Sequence, residues 1–182
     1  MPYFQPDDTR LCYRDLTPES LTALGIEVLL LDIDNTLAPY EQPTPDEQIV
    51  AFLRGMEAAG ICTAFLSNND EARVTLFNAM LNRPAVFRAG KPFVRKARRL
   101  LRTLGADEKK VALMGDQVFT DVWTAKRLGA RAILVPPIRD KKNALTRFKR
   151  ALERGVLRRY HKRCPSAPDV RVGSSISKEF TI

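Results

Sequence analysis

Asp32 and Asp34 stand two residues apart, directly after the uninterrupted apolar tetrad Val28-Leu29-Leu30-Leu31. Four apolar residues in a row without alternation suit a strand covered on both faces, as in a parallel sheet. Open parallel sheets concentrate their chemistry in the crevice beyond the carboxyl ends of such strands. There the first acid can sit at the strand tip as a nucleophile or metal ligand, while the second turns back over it as a proton donor or acceptor. Three further segments follow in order: Phe65-Leu66-Ser67-Asn68-Asn69, Gly90-Lys91-Pro92, and Gly115-Asp116-Gln117-Val118-Phe119-Thr120-Asp121 after the apolar Val111-Ala112-Leu113-Met114. Taken singly, each has a plainer use. Ser67 to Asp70 can cap a helix starting near Glu71, a lone lysine is usually a solvated surface group, and Gly-Asp is a common turn. Their ordered recurrence, three of them counting the acidic pair at strand ends, favours a site.

The four segments resemble motifs I to IV of the haloacid dehalogenase (HAD) superfamily of aspartate-nucleophile phosphotransferases: DxDxT at Asp32 to Thr36, the strand-end hydroxyl at Ser67, the lysine at Lys91, and GDxxxxD from Gly115 to Asp121. Phosphoryl transfer needs an in-line nucleophile, neutralisation of the equatorial oxygens and a proton for the leaving group. The resemblance supplies each. It implies Asp32 as the nucleophile that becomes an aspartyl-phosphate, and Asp34 as the acid that protonates the leaving oxygen and then the base that deprotonates water. It implies Mg²⁺ held by the Asp32 side chain, the backbone carbonyl of Asp34 and Asp116, with Asp121 and Thr36 in support. Ser67, Asn68 and Lys91 are implied as phosphate-binding residues. A sparse oxygen set of this kind suits Mg²⁺, which retains water and phosphate oxygens in its shell. The GDQxxTD form, with Ser67-Asn68-Asn69 and Gly90-Lys91-Pro92, is similar to the YqeG-type small phosphatases of HAD subclass IIIA, and through them to mitochondrial phosphatidylglycerophosphate phosphatases.

The elements that must position these residues alternate along the chain. After a lead-in over 1–27, carrying one short helix at Thr17 to Leu21, strand and helix patterns follow each other to Pro136-Pro137. A helix opens at Thr44-Pro45-Asp46-Glu47 and stops at Gly60; a strand spans 61–66; a helix runs from Glu71 to about 82. A short strand at 85–87, a helix over 92–104, a strand over 111–114, a helix over 121–128 and a strand over 132–135 complete the series. Such alternation predicts a doubly wound α/β domain with a parallel sheet. The resemblance adds a HAD-like, Rossmann-like strand order of 3-2-1-4-5 over 28–137. HAD enzymes acting on small metabolites often carry a cap inserted between motifs I and II or II and III. Neither gap here has room for one, so the chain reads as having no cap domain and an open site, suited to phosphates on large or surface-bound molecules or to a lid from a second subunit.

Composition bounds the rest. At 182 residues, 45% hydrophobic and 28% charged, the chain suits one globular domain. Cys12, Cys62 and Cys164 are odd in number and widely spaced, which argues against a disulfide framework or zinc site; Cys62 reads as a small core residue. The single His161 excludes a multi-histidine metal site within one chain. No apolar run approaches the ~20 residues that span a bilayer, and the N-terminus lacks a basic start and apolar core, so a cytoplasmic location is expected, peripheral at the inner face of the membrane if the basic segment engages lipid.

That segment carries the whole charge excess. Between Arg139 and Arg163 there are eleven Lys or Arg against two acids, while the rest of the chain has nineteen of each sign, so the net charge of +9 belongs to these 25 residues. Leu145, Phe148, Leu152 and Val156 recur at helical spacing among arginines, giving a basic amphipathic helix over 138–163 that could lie on an anionic membrane surface. The plainer reading, slightly favoured, packs the apolar stripe on the domain and leaves the arginines solvated. An RNA- or ribosome-associated protein that kept the fold is the competing class, nucleic acid being the less favoured partner because only Phe148 and Tyr160 offer stacking. A phosphatase of phosphoproteins or nucleic-acid ends is a third reading. Residues 164–182 read as a mobile tail.

Overall fold

The computed structural model describes residues 2–139, 144–168 and 170, with residue 2 and 144–150 described by backbone alone. Six strands form one all-parallel sheet: β1 (Asp8–Thr9), β2 (Val28–Leu31), β3 (Cys62–Leu66), β4 (Ala85–Val86), β5 (Val111–Gly115) and β6 (Arg131–Leu134). Their order across the sheet is β1-β6-β5-β2-β3-β4. The last five strands thus stand in the expected 3-2-1-4-5 arrangement, and the difference is an added edge strand. β1 comes from the segment read as an irregular lead-in. It docks on β6 because Asp7 and Arg10 donate backbone N–H groups to the carbonyls of Ala132 (2.9 Å) and Leu134 (3.0 Å), and the Asp7 carboxylate accepts the Ala132 N–H (2.8 Å).

Side chains of β2 alternate between two apolar layers, so the unbroken tetrad is buried on both faces. Leu29 and Leu31 join Phe65, Met114 and Ile133 beneath α2 (Glu47–Ala58) and α3 (Glu71–Asn78), which contribute Ile49, Leu53, Met56, Val74 and Phe77. Val28 and Leu30 join Leu66, Leu113 and Leu134 beneath α4 (Arg95–Thr103), α5 (Trp123–Leu128) and α6 (Ala144–Arg163), which contribute Leu100, Leu101, Leu128 and Leu157. A short α1 (Pro18–Thr22) is capped by Thr17, whose hydroxyl accepts the Ser20 N–H. Each fully buried aliphatic side chain contributes roughly 1.5–3 kcal/mol, so this double cover fixes β2 at the centre of the sheet.

Several boundaries shift for local reasons. α2 is capped by Asp46, whose carboxylate accepts the Ile49 N–H at 2.8 Å, so the helix starts after Thr44-Pro45. α3 ends at Asn78, and its amide side chain closes the following turn on the backbone of Arg83. α4 starts at Arg95 because Phe93 N–H first closes a turn on Gly90. Cys62 is exposed at the start of β3, which corrects its reading as a core residue; the buried positions begin one residue later at Thr63. Between motifs I and II lie only a loop, α2 and β3, and between II and III only α3 and β4, so no cap is inserted.

α6 runs through the basic segment, and its buried face departs from the apolar stripe at Leu152. Leu157 and Tyr160 are buried, Val156 is half-buried, and Leu152 is 50% exposed. The buried register instead includes Glu153, whose carboxylate accepts the Val118 N–H at 2.9 Å beside motif IV. Arg154, Arg158, Arg159, Lys162 and Arg163 are exposed. The side chains of Leu145 and Phe148 lie outside the described residues. Beyond the helix, Val170 is buried in the α4–α6 layer and the Pro168 carbonyl accepts the Thr9 hydroxyl at 3.2 Å, so the start of the segment read as a tail packs on the domain. Residues 171–182 lie outside the described residues. No helix among the described residues is long and apolar enough to cross a membrane.

Candidate active site

Register brings the motifs to one end of the sheet. Leu31 pairs with Phe65 on one side and Met114 on the other. Asp32, one residue beyond Leu31, donates its N–H to the Met114 carbonyl at 3.0 Å; Ser67 and Asp116 each lie two residues beyond their paired positions. The chain then folds back on itself at once. N–H groups of Thr36, Leu37 and Ala38 all converge on the Ile33 carbonyl. Asn35 takes a left-handed conformation (φ 63°), which asparagine tolerates better than most residues.

Asp32, Asp116 and Asp121 are all buried, and one carboxylate oxygen from each lies within 4.8 Å of the others. The Lys91 ammonium enters this group, 3.0 Å from Asp32 Oδ1 and 2.6 Å from Asp121 Oδ1. Burial pushes the Asp32 carboxyl up to about 8, against the pull of Lys91 and with the repulsion of Asp121 and Asp116. Burial opposes the charge on Lys91, but the Asp121 and Asp32 carboxylates outweigh it and hold the ammonium above its usual value. Three buried carboxylates against one buried ammonium leave room for a cation, and an all-oxygen set of this size fits a divalent metal.

Asp121 is committed to protein contacts. Its Oδ1 takes Lys91, and its Oδ2 accepts the Gln117 N–H and the Thr120 hydroxyl, both at 3.1 Å. Both carboxylate oxygens are thereby fixed, on a π-helical turn over Val118–Val122 that leads into α5. Gly115 makes the approach feasible, because a Cβ there would lie 2.2 Å from Asp121 Cγ.

The other sequence-derived residues occupy distinct places. Ser67 is buried, and its hydroxyl accepts the Asn69 N–H at 3.1 Å, so one residue both ends β3 and shapes the next turn; Asp70 does the helix capping. Asn68 spends its side chain on the backbone of Lys91, accepting its N–H at 2.7 Å and donating to its carbonyl at 3.2 Å. Its amide therefore locks the lysine segment to motif II. Thr36 is buried with its hydroxyl unpartnered among the described residues. The Asp34 side chain does not join the carboxylate cluster. Its Oδ2 accepts Asn69 Nδ2 at 2.9 Å and its Oδ1 accepts Arg73 Nε at 3.1 Å. Sequence reasoning missed Arg73, because an exposed-looking arginine in α3 carries no signal of a partner 39 residues away.

A parallel sheet that presents an aspartate at its central strand tip, a second acid two residues on, a strand-end serine, a buried lysine and a distal acid pair defines the HAD class of phosphohydrolases. Comparison with known proteins agrees. Residues 88–154 match the HAD-hydrolase-like family. The chain is 32% identical over 155 residues to the "Probable phosphatase YqeG" of Bacillus subtilis, covering 85% of this chain and 90% of that protein. Among solved structures, an uncharacterized protein from Listeria monocytogenes serotype 4b shares the fold at a TM-score of 0.51 and 16% identity, over 65% of this chain and 85% of that one. A hypothetical protein from Xanthomonas campestris does so at 0.51 and 16%, over 66% and 73%. The chain belongs to the YqeG-type phosphatases of the HAD superfamily.

Proposed function

We propose that the protein is a Mg²⁺-dependent phosphomonoester hydrolase working through an aspartyl-phosphate on Asp32. The observation that carries the reading is the buried ring of Asp32, Asp116 and Asp121 closed by Lys91 at the carboxyl end of β2 and β5. Asp32, the Asp34 backbone carbonyl and Asp116 would hold the metal, which when bound supplies positive charge against the phosphoryl oxygens. Asp32 attacks phosphorus, and Lys91 with Ser67 takes up charge on the non-bridging oxygens. Asp34 gives its proton to the leaving oxygen and then takes one from the attacking water. Asn68 keeps Lys91 in place, and Asp121 fixes the ammonium from the other side.

The capless architecture favours a phosphate displayed on a large or surface-bound molecule. The exposed cations of α6, on the same chain as this site, favour an anionic membrane surface, and phosphatidylglycerophosphate is the lipid substrate proposed. A screen of phospholipid, nucleotide, sugar and peptide phosphates, with Asp32→Asn as the blank, tests this. The expected result is Mg²⁺-dependent turnover of phosphomonoesters, led by the lipid and absent from the variant. Turnover that survives Asp32→Asn overturns the mechanism, and preference for a non-lipid ester overturns the substrate assignment.

A further inference from the structure

We infer that Arg73 is the positioning residue for Asp34, setting the acid that protonates the leaving oxygen; this rests on the phosphomonoesterase reading above. Both oxygens of Asp34 are held, one by Arg73 Nε of α3 at 3.1 Å and the other by Asn69 Nδ2 of motif II at 2.9 Å. Arg73 is itself over-determined. Its side chain is only 11% exposed, its Nη1 donates to the Pro43 carbonyl at 3.0 Å, and its guanidinium lies 5.2 Å from the Phe77 ring centroid. Its backbone N–H is fixed by the α3 cap, donating to Asp70 at 2.9 Å. Nη2 is buried with no hydrogen-bond partner among the described residues.

Two ends of one loop are therefore pinned by one side chain. The loop leaves the site at Asp34 and returns past Pro43 to α2, and the planar fork of Arg73 spans both points. A surface ion pair contributes little to stability. A guanidinium desolvated to this degree, with one donor left unsatisfied, carries a cost that a merely structural contact would avoid by substitution with an apolar residue. What the arrangement provides is orientation of a carboxyl group between motifs I and II. Lysine, a single point charge on a flexible stem, cannot make both contacts in one geometry.

The chemistry shows where that orientation matters. In the first displacement the Asp32 oxygen forms a bond to phosphorus as the bond to the leaving oxygen breaks. The leaving oxygen keeps the electron pair and takes the Asp34 proton. In the second, water attacks phosphorus, its proton passes to Asp34, and the bond to Asp32 breaks to release inorganic phosphate. An alkoxide needs the proton to leave, whereas a nitrophenolate departs without it. Misplacing Asp34 therefore penalises the first displacement far more for alkyl phosphates than for aryl ones, whereas the second displacement is common to both.

The test is steady-state hydrolysis of p-nitrophenyl phosphate and of glycerol phosphate by the full chain with Mg²⁺, at one pH, in the native protein, Arg73→Ala and Arg73→Lys, with Asp32→Asn as the blank. General acid catalysis typically contributes ~10²–10⁴-fold, and kcat/KM reports the first displacement alone, so a disordered acid in Arg73→Ala lowers the ratio of alkyl to aryl kcat/KM by about 10-fold or more. Arg73→Lys lowers the same ratio by a smaller factor. Equal loss on both substrates would make Arg73 a structural residue and overturn the inference, as would an unchanged ratio. Circular dichroism and thermal melting establish that each variant is folded. Where Arg73→Ala is not, the folded Lys variant decides: an unchanged ratio there refutes the positioning role. Native activity that is absent, or that persists in Asp32→Asn, refutes instead the functional reading on which the inference stands.

Discussion

Adding one methyl group at Gly115 should disable the site from beneath. Gly115 ends β5 in ordinary extended geometry, so the constraint is contact with Asp121 and owes nothing to backbone strain. An ideal Cβ there would lie 2.2 Å from Asp121 Cγ, 2.4 Å from its Cβ and 2.6 Å from its Oδ2. Ordinary carbon contacts start near ~3.5 Å, so Asp121 or the strand must move by more than about 1 Å. Asp121 cannot yield freely, because its oxygens hold Lys91 at 2.6 Å and the Gln117 N–H and Thr120 hydroxyl at 3.1 Å. Overpacking a core costs roughly 1–3 kcal/mol, and breaking a buried ion pair roughly 3–5 kcal/mol. A net loss of about 3 kcal/mol lowers the melting temperature by roughly 6–12 °C for a chain of this size. A displacement of about 1 Å in catalytic groups lowers kcat by about 100-fold. Scanning fluorimetry and hydrolysis of p-nitrophenyl phosphate measure both. The matched control is Gly55→Ala in α2, where the added Cβ meets nothing within 4 Å and the helix gains about 0.5–1 kcal/mol. A Gly115→Ala protein with near-native melting and turnover would refute the steric argument and the placement of Asp121.

Other outcomes follow from the same geometry. Mg²⁺ at about 100 times its dissociation constant stabilises the protein by ~2.7 kcal/mol, raising the melting temperature by roughly 5–10 °C, and Asp116→Asn largely removes the rise; no shift with Mg²⁺ would contradict metal binding by the acid ring. Replacing Arg154, Arg158 and Arg159 with glutamine removes about 1 kcal/mol of attraction per residue to an anionic surface, so sedimentation with anionic vesicles weakens by about 100-fold while hydrolysis of a small soluble phosphate persists. Equal binding of native and variant would return these arginines to a solvated face, and RNA binding without vesicle binding at matched salt would favour the nucleic-acid reading.

The site's charged centre was legible in the sequence because each residue follows an apolar run or a glycine turn at fixed spacing. Asp32, Lys91, Asp116 and Asp121 meet as their motifs imply. The second layer was not legible. Arg73 reaches Asp34 across 39 residues and Asn68 reaches Lys91 across 23, and neither contact leaves a periodic trace. The central strands followed from hydrophobic continuity, whereas β1 has only two residues, Asp8 and Thr9, and owes its existence to backbone pairing with β6. In α6 the apolar period misplaced Leu152, which is half exposed, because a carboxylate occupies a buried position. Glu153 does so by accepting the Val118 N–H of the π-helical turn, a tertiary bond that overrides hydrophobic pattern. Cys62 failed for the opposite reason, as a small apolar-flanked residue at a strand's exposed first position.

The central claim is that Asp32 is the nucleophile, and the phosphorylated residue itself tests it most directly. The native protein, mixed briefly with Mg²⁺ and p-nitrophenyl phosphate and quenched in acid, is digested and analysed by mass spectrometry for an acyl phosphate that hydroxylamine removes. The account predicts phosphate on the peptide containing Asp32, located to that residue, and none in Asp32→Asn. Stoichiometric phosphate on any other residue, or native turnover with no covalent phosphate and an active Asn variant, would contradict it.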